Sequence, residues 1–473
     1  MQRILGIDLA ITAAHQACVT EENGSVVHER RFFINRHELE ALYDKAIEGM
    51  SPSDILIVVM EPTSSMWIAP TAFFRSKGAR VHLVPPEQSA DLRRYYAKHV
   101  KNDRIDAKLL ARLPLLHPEG LHEAEVPKGP RGTLKRIVKR RARLVSEVAQ
   151  HRQRVRSLLH WAMPGMNDVL GEELGKAAIA LLGRYGSPRA LVRLGKARIA
   201  ALLIKASRGA WREDKAEQIL AVARSTLTLW DGLEGCDFDE VQEDLACEAR
   251  VIKMLESEVK ELDAKAAGLL GEIDPDGLVM SLPGFGERIA TTVAGRLGHA
   301  ARFKNSGAVR SFIGMIPGTD QSGETEGSPR LTKSGDRMLR TALFLAADAA
   351  RKEDPQLARI YFRQVVDKGH HPTQAVCAVA TALASRLAAV LREGKPYEVR
   401  DIGGEPVDKQ AARRIIAEHF TVPPSVRAAR RRVRTSVKQK GRHLDGVRSK
   451  AAKPSPPTEA TPAGNAITAA KSA

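Results

Sequence analysis

Two apolar runs that each stop at a carboxylate constrain this chain most. Ile4-Leu5-Gly6-Ile7 runs into Asp8, and Ile55-Leu56-Ile57-Val58-Val59-Met60 runs into Glu61. Short uninterrupted apolar runs read as strands buried within a sheet, so both acids are expected at strand mouths. A third segment, Asp103-Arg104-Ile105-Asp106-Ala107-Lys108-Leu109-Leu110, has helical apolar spacing. Its two aspartates stand three residues apart and share one helix face. Two strand ends and one helix face are enough to enclose a pocket of four acids.

Gathering four carboxylates is unfavourable at neutral pH unless cations neutralise them. An oxygen-only ligand set suits Mg²⁺ or Mn²⁺. Two such ions about 3.5–4 Å apart activate the attacking oxygen and stabilise the leaving oxygen of a phosphodiester. Any one of these acids, taken alone, reads better as a surface residue; the order of elements around them changes that weighting. Strands are expected at 2–9, 16–20 and 26–33, the last two flanking the turn at 21–25, then a helix at 37–50, a strand at 54–60, a helix at 66–77, a strand at 79–84 and a helix from 90. That β-β-β-α-β-α-β-α order, with acids on the first and fourth strands and a pair on a late helix, resembles the RNase H-like nuclease fold in its RuvC-like form.

Charge points to a polyanionic partner. The 473 residues carry 74 Lys and Arg against 56 Asp and Glu, a formal net charge of +18, which favours nucleic acid. Aromatic residues are only 4 % of the chain, which argues against single-strand binding mainly by base stacking and leaves phosphate contacts as the source of affinity. Cys18, Cys236, Cys247 and Cys377 form no C-x-x-C pair, so neither a disulfide framework nor a zinc ribbon is supported and reduced core thiols are expected. With no leader-like N-terminus and no apolar run approaching ~20 residues, the expected location is the cytoplasm, away from membranes.

Residues 114–130 are rich in Pro, Gly and His and read as a linker. From Arg131 the pattern is a long amphipathic helix whose basic residues, Arg136 and Arg140 among them, crowd one segment. Such a segment either grips a nucleic-acid backbone or forms a solvated face, with similar weight. Short helices are expected over 189–225 and a second long helix over 244–270. Its approximate heptad seam serves packing against the first long helix or dimerisation equally well. Ser281-Leu282-Pro283-Gly284-Phe285-Gly286 before a new helix resembles a helix-hairpin-helix element, in which Gly284 and Gly286 admit close backbone approach and the helix N-terminus offers amides to phosphate. A plain helix–turn–helix link capped by glycine is the competing reading.

Downstream come Arg302-Phe303-Lys304-Asn305-Ser306, Phe312-Ile313-Gly314-Met315-Ile316-Pro317-Gly318, Gln321-Ser322-Gly323-Glu324 and Leu331-Thr332-Lys333-Ser334-Gly335-Asp336-Arg337-Met338-Leu339-Arg340. This ordered string resembles the C-terminal domain of the DEDD transposases of bacterial insertion sequences, the group that includes Piv-type invertases and bridge-RNA-guided recombinases. Asp8, Glu61, Asp103 and Asp106 stand at the four acidic positions of that family. The resemblance implies that Ser322, a serine before glycine in a polar loop, is the nucleophile and passes DNA through a phosphoserine intermediate. It further implies Mg²⁺ dependence, DNA ends and target as substrates, a structured noncoding guide RNA, and homodimers that assemble into a tetramer, with the two conserved domains combining into one active site. Ser322 outranks the neighbouring hydroxyls Thr325, Ser328 and Ser334; Lys333, Arg337 and Arg340 are expected phosphate ligands, with surface solubility as the plainer role.

Ala- and Leu-rich segments at 338–350 and 374–391 are expected to form a C-terminal core, His370 and His371 an exposed turn. From Ser425 a basic run leads into a Pro/Ala/Thr/Ser tail expected to be disordered. The expected layout is an α/β RNase H-like catalytic domain at 1–113, a linker at 114–130, a helical domain at 131–272, a mostly α domain bearing the serine at 273–400 and a basic tail at 401–473. Two other functions fit the same residues: a Holliday-junction resolvase-like nuclease that uses water, and a non-catalytic nucleic-acid-binding protein on an old nuclease fold.

Overall fold

The computed structural model describes residues 2–96, 102–118, 121–124, 126, 128–318, 321–322, 325–326, 330–331 and 335–432. Lys333, Ser334, Ser328 and the basic tail beyond 432 lie outside them. The chain divides into two compact units, Met1–Gly132 and Thr133–Ala473.

The first unit is a mixed sheet with helices. Its strands are β1 (Gln2–Asp8), β2 (His15–Glu21), β3 (Val26–Phe32), β4 (Ile55–Met60), β5 (Arg80–Leu83) and β6 (His122–Glu123), in the order β3-β2-β1-β4-β5-β6. β2 runs antiparallel to β1 and β3, β4 and β5 continue parallel to β1, and β6 closes the edge antiparallel to β5. The helices are α1 (Arg36–Ile47), α2 (Ile68–Ser76), α3 (Pro86–Tyr96) and α4 (Asp103–Leu116). Alternation along the central strands sorts side chains between two faces. Leu5, Ile7, Val58 and Met60 pack with Leu39, Leu42, Phe73 and Phe74 of α1 and α2. Ile4, Ile57 and Val59 face the other way, with Leu110, Ala111 and Leu113 of α4.

Two boundaries differ from expectation. Pro114 lies inside α4, and the stretch read as a linker contains β6, just after which Ala124 O accepts from Arg75 Nη1 at 2.6 Å. α3 begins at Pro86, earlier than expected, because proline at the first helical turn sacrifices no hydrogen bond.

The second unit is mostly helical. α5 (Gly129–Ala162) runs into it, followed by α6 (Met166–Leu170), α7 (Lys176–Leu182), α8 (Pro188–Ser207), α9 (Glu213–Leu229) and α10 (Phe238–Ile273). α5 and α10 run antiparallel, joined by Arg140–Glu258, Arg141–Asp263, Arg152–Glu256 and His151–Glu248 pairs, and share an apolar cluster with α6–α9. The heptad-like seam of α10 is therefore spent at least partly within the chain: Leu255 and Leu262 are buried in that cluster while Met254 faces out.

α11 (Glu287–Leu297), α12 (Ser306–Ile313), the short strands β7 (Pro317–Gly318), β8 (Gln321–Ser322), β9 (Thr325–Glu326) and β10 (Arg330–Leu331), then α13 (Arg337–Ala350), α14 (Pro355–Phe362), α15 (Pro372–Glu393) and α16 (Lys409–His419) complete the unit. β8 pairs with β9 and β7 with β10, all antiparallel. A second core joins α11–α15. Contrary to the sequence reading, one helix among the described residues, α15, is long and apolar enough to cross a membrane by length and composition. Ala375, Val379, Leu383 and Leu387 of α15 are fully buried in this core. His371 caps α15 through Nδ1, which accepts from Thr373 N, and is only half-buried, whereas His370 is exposed. Cys18 is buried and Cys247 exposed, so the thiols are not uniformly core residues.

Candidate functional site

The same alternation that sorts the core sorts the acids. Asp8 continues the Ile4, Gly6 series of β1, and Glu61 continues the Ile57, Val59 series of β4, so both fall on the α4 face. Ile7 pairs with Met60 in the parallel ladder, which sets Asp8 and Glu61 side by side at the same end of neighbouring strands. α4 brings the other two acids. Its N-terminus is capped by Asn102, whose side chain accepts from Arg104 N at 3.0 Å, and Asp103 and Asp106 occupy its first turn.

Gly6 is what lets α4 settle there. A β-carbon at this position would meet the backbone of α4, at Ala107 O and at 2.5 Å from Ala111 N. Glycine inside a buried strand commonly marks such an approach.

Asp106 is buried, 8 % exposed, whereas Asp103 is exposed and Asp8 and Glu61 are half-buried. The electrostatics show that the acids share one field. Burial first, then the charges of Asp106, Asp103 and Glu61, push the Asp8 carboxyl up to about 6, with Arg93 opposing them. Arg93 Nε donates to Asp106 Oδ1 at 2.6 Å, and Ser89 Oγ donates to Glu61 Oε2 at 2.6 Å. These four side chains line a small cleft walled by Leu92, Leu109, Leu110 and Leu113. Among the described residues, no three His, Cys, Asp or Glu side chains are grouped to hold one ion. The donor set itself, all carboxylate oxygen and short of positive charge, suits a hard divalent cation.

Ser89 and Arg93 are absent from the sequence reading. Their spacing of four places both on one face of α3, but that signal was hidden once the helix was started at Ala90.

The remaining sequence-predicted residues lie in the second unit. Ser322 belongs to β8 and pairs with Thr325 of β9 in an antiparallel ladder. Gly284 has a left-handed backbone, φ +76°, and a β-carbon there would press into α13 at Ala346 O and at 3.0 Å from Ala350 N. Its close approach is thus to another helix of the chain. Gly286 is exposed and caps α11 with open space around it. Arg337 is exposed at the start of α13, but Arg340 Nη1 donates to Ile313 O at 3.1 Å. Asp336 caps α13 and takes Arg296 Nε at 2.8 Å. On α5, Arg136 Nη2 reaches Thr133 Oγ1 at 3.0 Å and Arg140 Nη2 reaches Glu258 Oε2 at 3.1 Å, so part of the basic segment is neutralised by α10.

Two family models match this chain. One, described as a transposase of the DEDD type, matches residues 5–164, and the other, described as the transposase IS116/IS110/IS902 family, matches residues 276–362. Among curated proteins, an uncharacterised 43.6 kDa protein of insertion element IS110 from Streptomyces coelicolor is 28 % identical over 403 residues, covering 84 % of this chain and 95 % of that protein. An uncharacterised 44.8 kDa protein of insertion element IS116 from Streptomyces clavuligerus is 23 % identical over 69 % of this chain and 80 % of its own length. An uncharacterised 42 kDa protein of IS900 from Mycobacterium paratuberculosis is 28 % identical over 47 % of this chain and 54 % of its own length.

Proposed function

The chain belongs to the IS116/IS110/IS902 family of insertion-element transposases, and from that premise we propose that it cuts and rejoins DNA strands with Asp8, Glu61, Asp103 and Asp106 as metal-binding carboxylates and Ser322 as nucleophile. The observation that carries the reading is the convergence of four acids on one sheet end, with Asp8 held up to about 6 by burial and its neighbours. The sheet order β3-β2-β1-β4-β5-β6, with β2 antiparallel to both β1 and β3 and with β1, β4 and β5 parallel, supports an RNase H-like frame for those acids.

A divalent cation held by these carboxylates would supply Lewis-acid polarisation and neutralise phosphate charge. The chain's own residues do the rest. Ser89 holds Glu61 in place, and Asn102 fixes the turn that presents Asp103 and Asp106. The Ser322 Oγ forms a bond to phosphorus while the bond from phosphorus to one bridging oxygen breaks, and the serine proton ends on the released hydroxyl. Attack by a second strand's hydroxyl reverses the exchange and regenerates the serine, so no external energy source is needed. Basic residues outside the α5–α10 ion pairs, Arg136 and Arg337 among them, contact phosphate, as does the exposed α11 N-terminus at Gly286. A structured RNA that selects the target and assembly of dimers into a tetramer complete the proposal; the net charge of +18 suits both nucleic acids.

The test is cleavage of DNA carrying the element's ends. Asp8→Asn and Asp106→Asn should lose cleavage by roughly 100-fold or more in Mg²⁺ while retaining DNA binding in a mobility-shift assay. Undiminished cleavage in both variants would remove the acids from the mechanism.

A further inference from the structure

We propose that Arg93 is a positioning residue that competes with a divalent cation for Asp106: its guanidinium charge on that carboxylate weakens the hold of the acids on metal. The inference rests on the reading of the four acids as metal ligands and adds a competitor to it.

The two hydrogen bonds from α3 into the cleft are of different kinds. Ser89 contributes a neutral hydroxyl to one oxygen of Glu61, which orients the carboxylate and leaves its charge and its second oxygen available. Arg93 contributes a full positive charge to Asp106 through a 2.6 Å contact. Asp106 is the most buried of the four acids at 8 % exposure, and the Arg93 side chain is itself only 27 % exposed. A charge-assisted bond so far out of water is strong. Arg93 is also the cation that opposes the carboxylates around Asp8. A divalent ion would bring a second positive charge to a carboxylate whose Oδ1 Arg93 already holds, so each cation weakens the other's hold on Asp106.

The experiment is Mn²⁺ binding to the full chain without DNA, by calorimetry and by the Mn²⁺ paramagnetic resonance signal, with thermal melts in EDTA and in Mn²⁺. Arg93→Gln removes the charge and is expected to tighten Mn²⁺ binding about tenfold, as follows if the competent arrangement is only a minor fraction of the wild-type chain. It should melt below wild type in EDTA and recover in Mn²⁺. Arg93→Lys keeps a point charge and should stay within about threefold of wild-type affinity. Unchanged or weaker Mn²⁺ binding in Arg93→Gln, with a melting deficit that Mn²⁺ does not repair, would overturn the inference and make Arg93 a structural strut. Equal tightening in Arg93→Lys would overturn it too, since charge would then not be the competitor. An Asp8→Asn control separates the levels: if that change leaves Mn²⁺ binding untouched in both Arg93 backgrounds, the ligand reading itself falls.

Discussion

Gly6 in the first unit and Gly284 in the second solve the same packing problem and mean different things. Each lets a helix backbone come closer than a β-carbon would allow, α4 against β1 in one and α13 against the 281–286 turn in the other. At Gly6 the approach carries Asp103 and Asp106 over the strand ends that bear Asp8 and Glu61. At Gly284 it closes a hydrophobic core with Leu282 and Phe285. A glycine motif therefore identifies close approach, and only the fold says whether the visitor is a helix, a phosphate or a site.

The sharpest break of this comparison is Gly284→Ala. Left-handed backbone strain and collision with α13 together should cost about 4 kcal/mol, lowering the thermal melt of the second unit. Gly6→Ala should cost about 2 kcal/mol and, unlike Gly284→Ala, should also relax the raised Asp8 carboxyl by lifting α4 away, a change visible in an NMR titration of Asp8. If Gly6→Ala leaves that titration where it was, α4 is not what sets the local field.

A third change sharpens the electrostatic side. The folded value of Asp8 is raised from 3.8 to about 6, so its contribution to stability is present below 3.8 and is lost as pH rises through about 6. Asp8→Asn should accordingly melt above wild type at pH 8 in EDTA, with the gap closing near pH 4. A gap that persists at pH 4 would assign it to packing. The smallest change is expected at Arg140→Ala, whose exposed pair with Glu258 should contribute within about 0.5 kcal/mol, measured by thermal melting.

Asp8 and Glu61 were legible in the sequence as the residues that end two apolar runs, which puts them at strand mouths; the face they share follows only from the structure, where Ile4 and Ile57 pack against α4. Helix spacing alone put Asp103 and Asp106 on one face. Arg93 and Ser89 were not legible, since their role depends on which helix lies beside α4 and on a helix start at Pro86, earlier than the expected one at Ala90. β6 was hidden for a related reason, since an edge strand of two residues carries no alternation to read. On α5 the basic pattern was plain, yet its partners on α10 sit more than a hundred residues away, as Arg140 and Glu258 do. Charge pattern alone does not say which cations are already paired within the fold.

The account turns on Ser322. The most direct measurement incubates the chain, with any RNA that co-purifies, with labelled element-junction DNA and Mg²⁺, then separates the products on a denaturing gel for wild type, Ser322→Ala and Asp8→Ala. A denaturation-resistant protein–DNA band in wild type that both substitutions abolish is the predicted result. Free cleaved DNA that persists in Ser322→Ala would contradict it and make water the nucleophile.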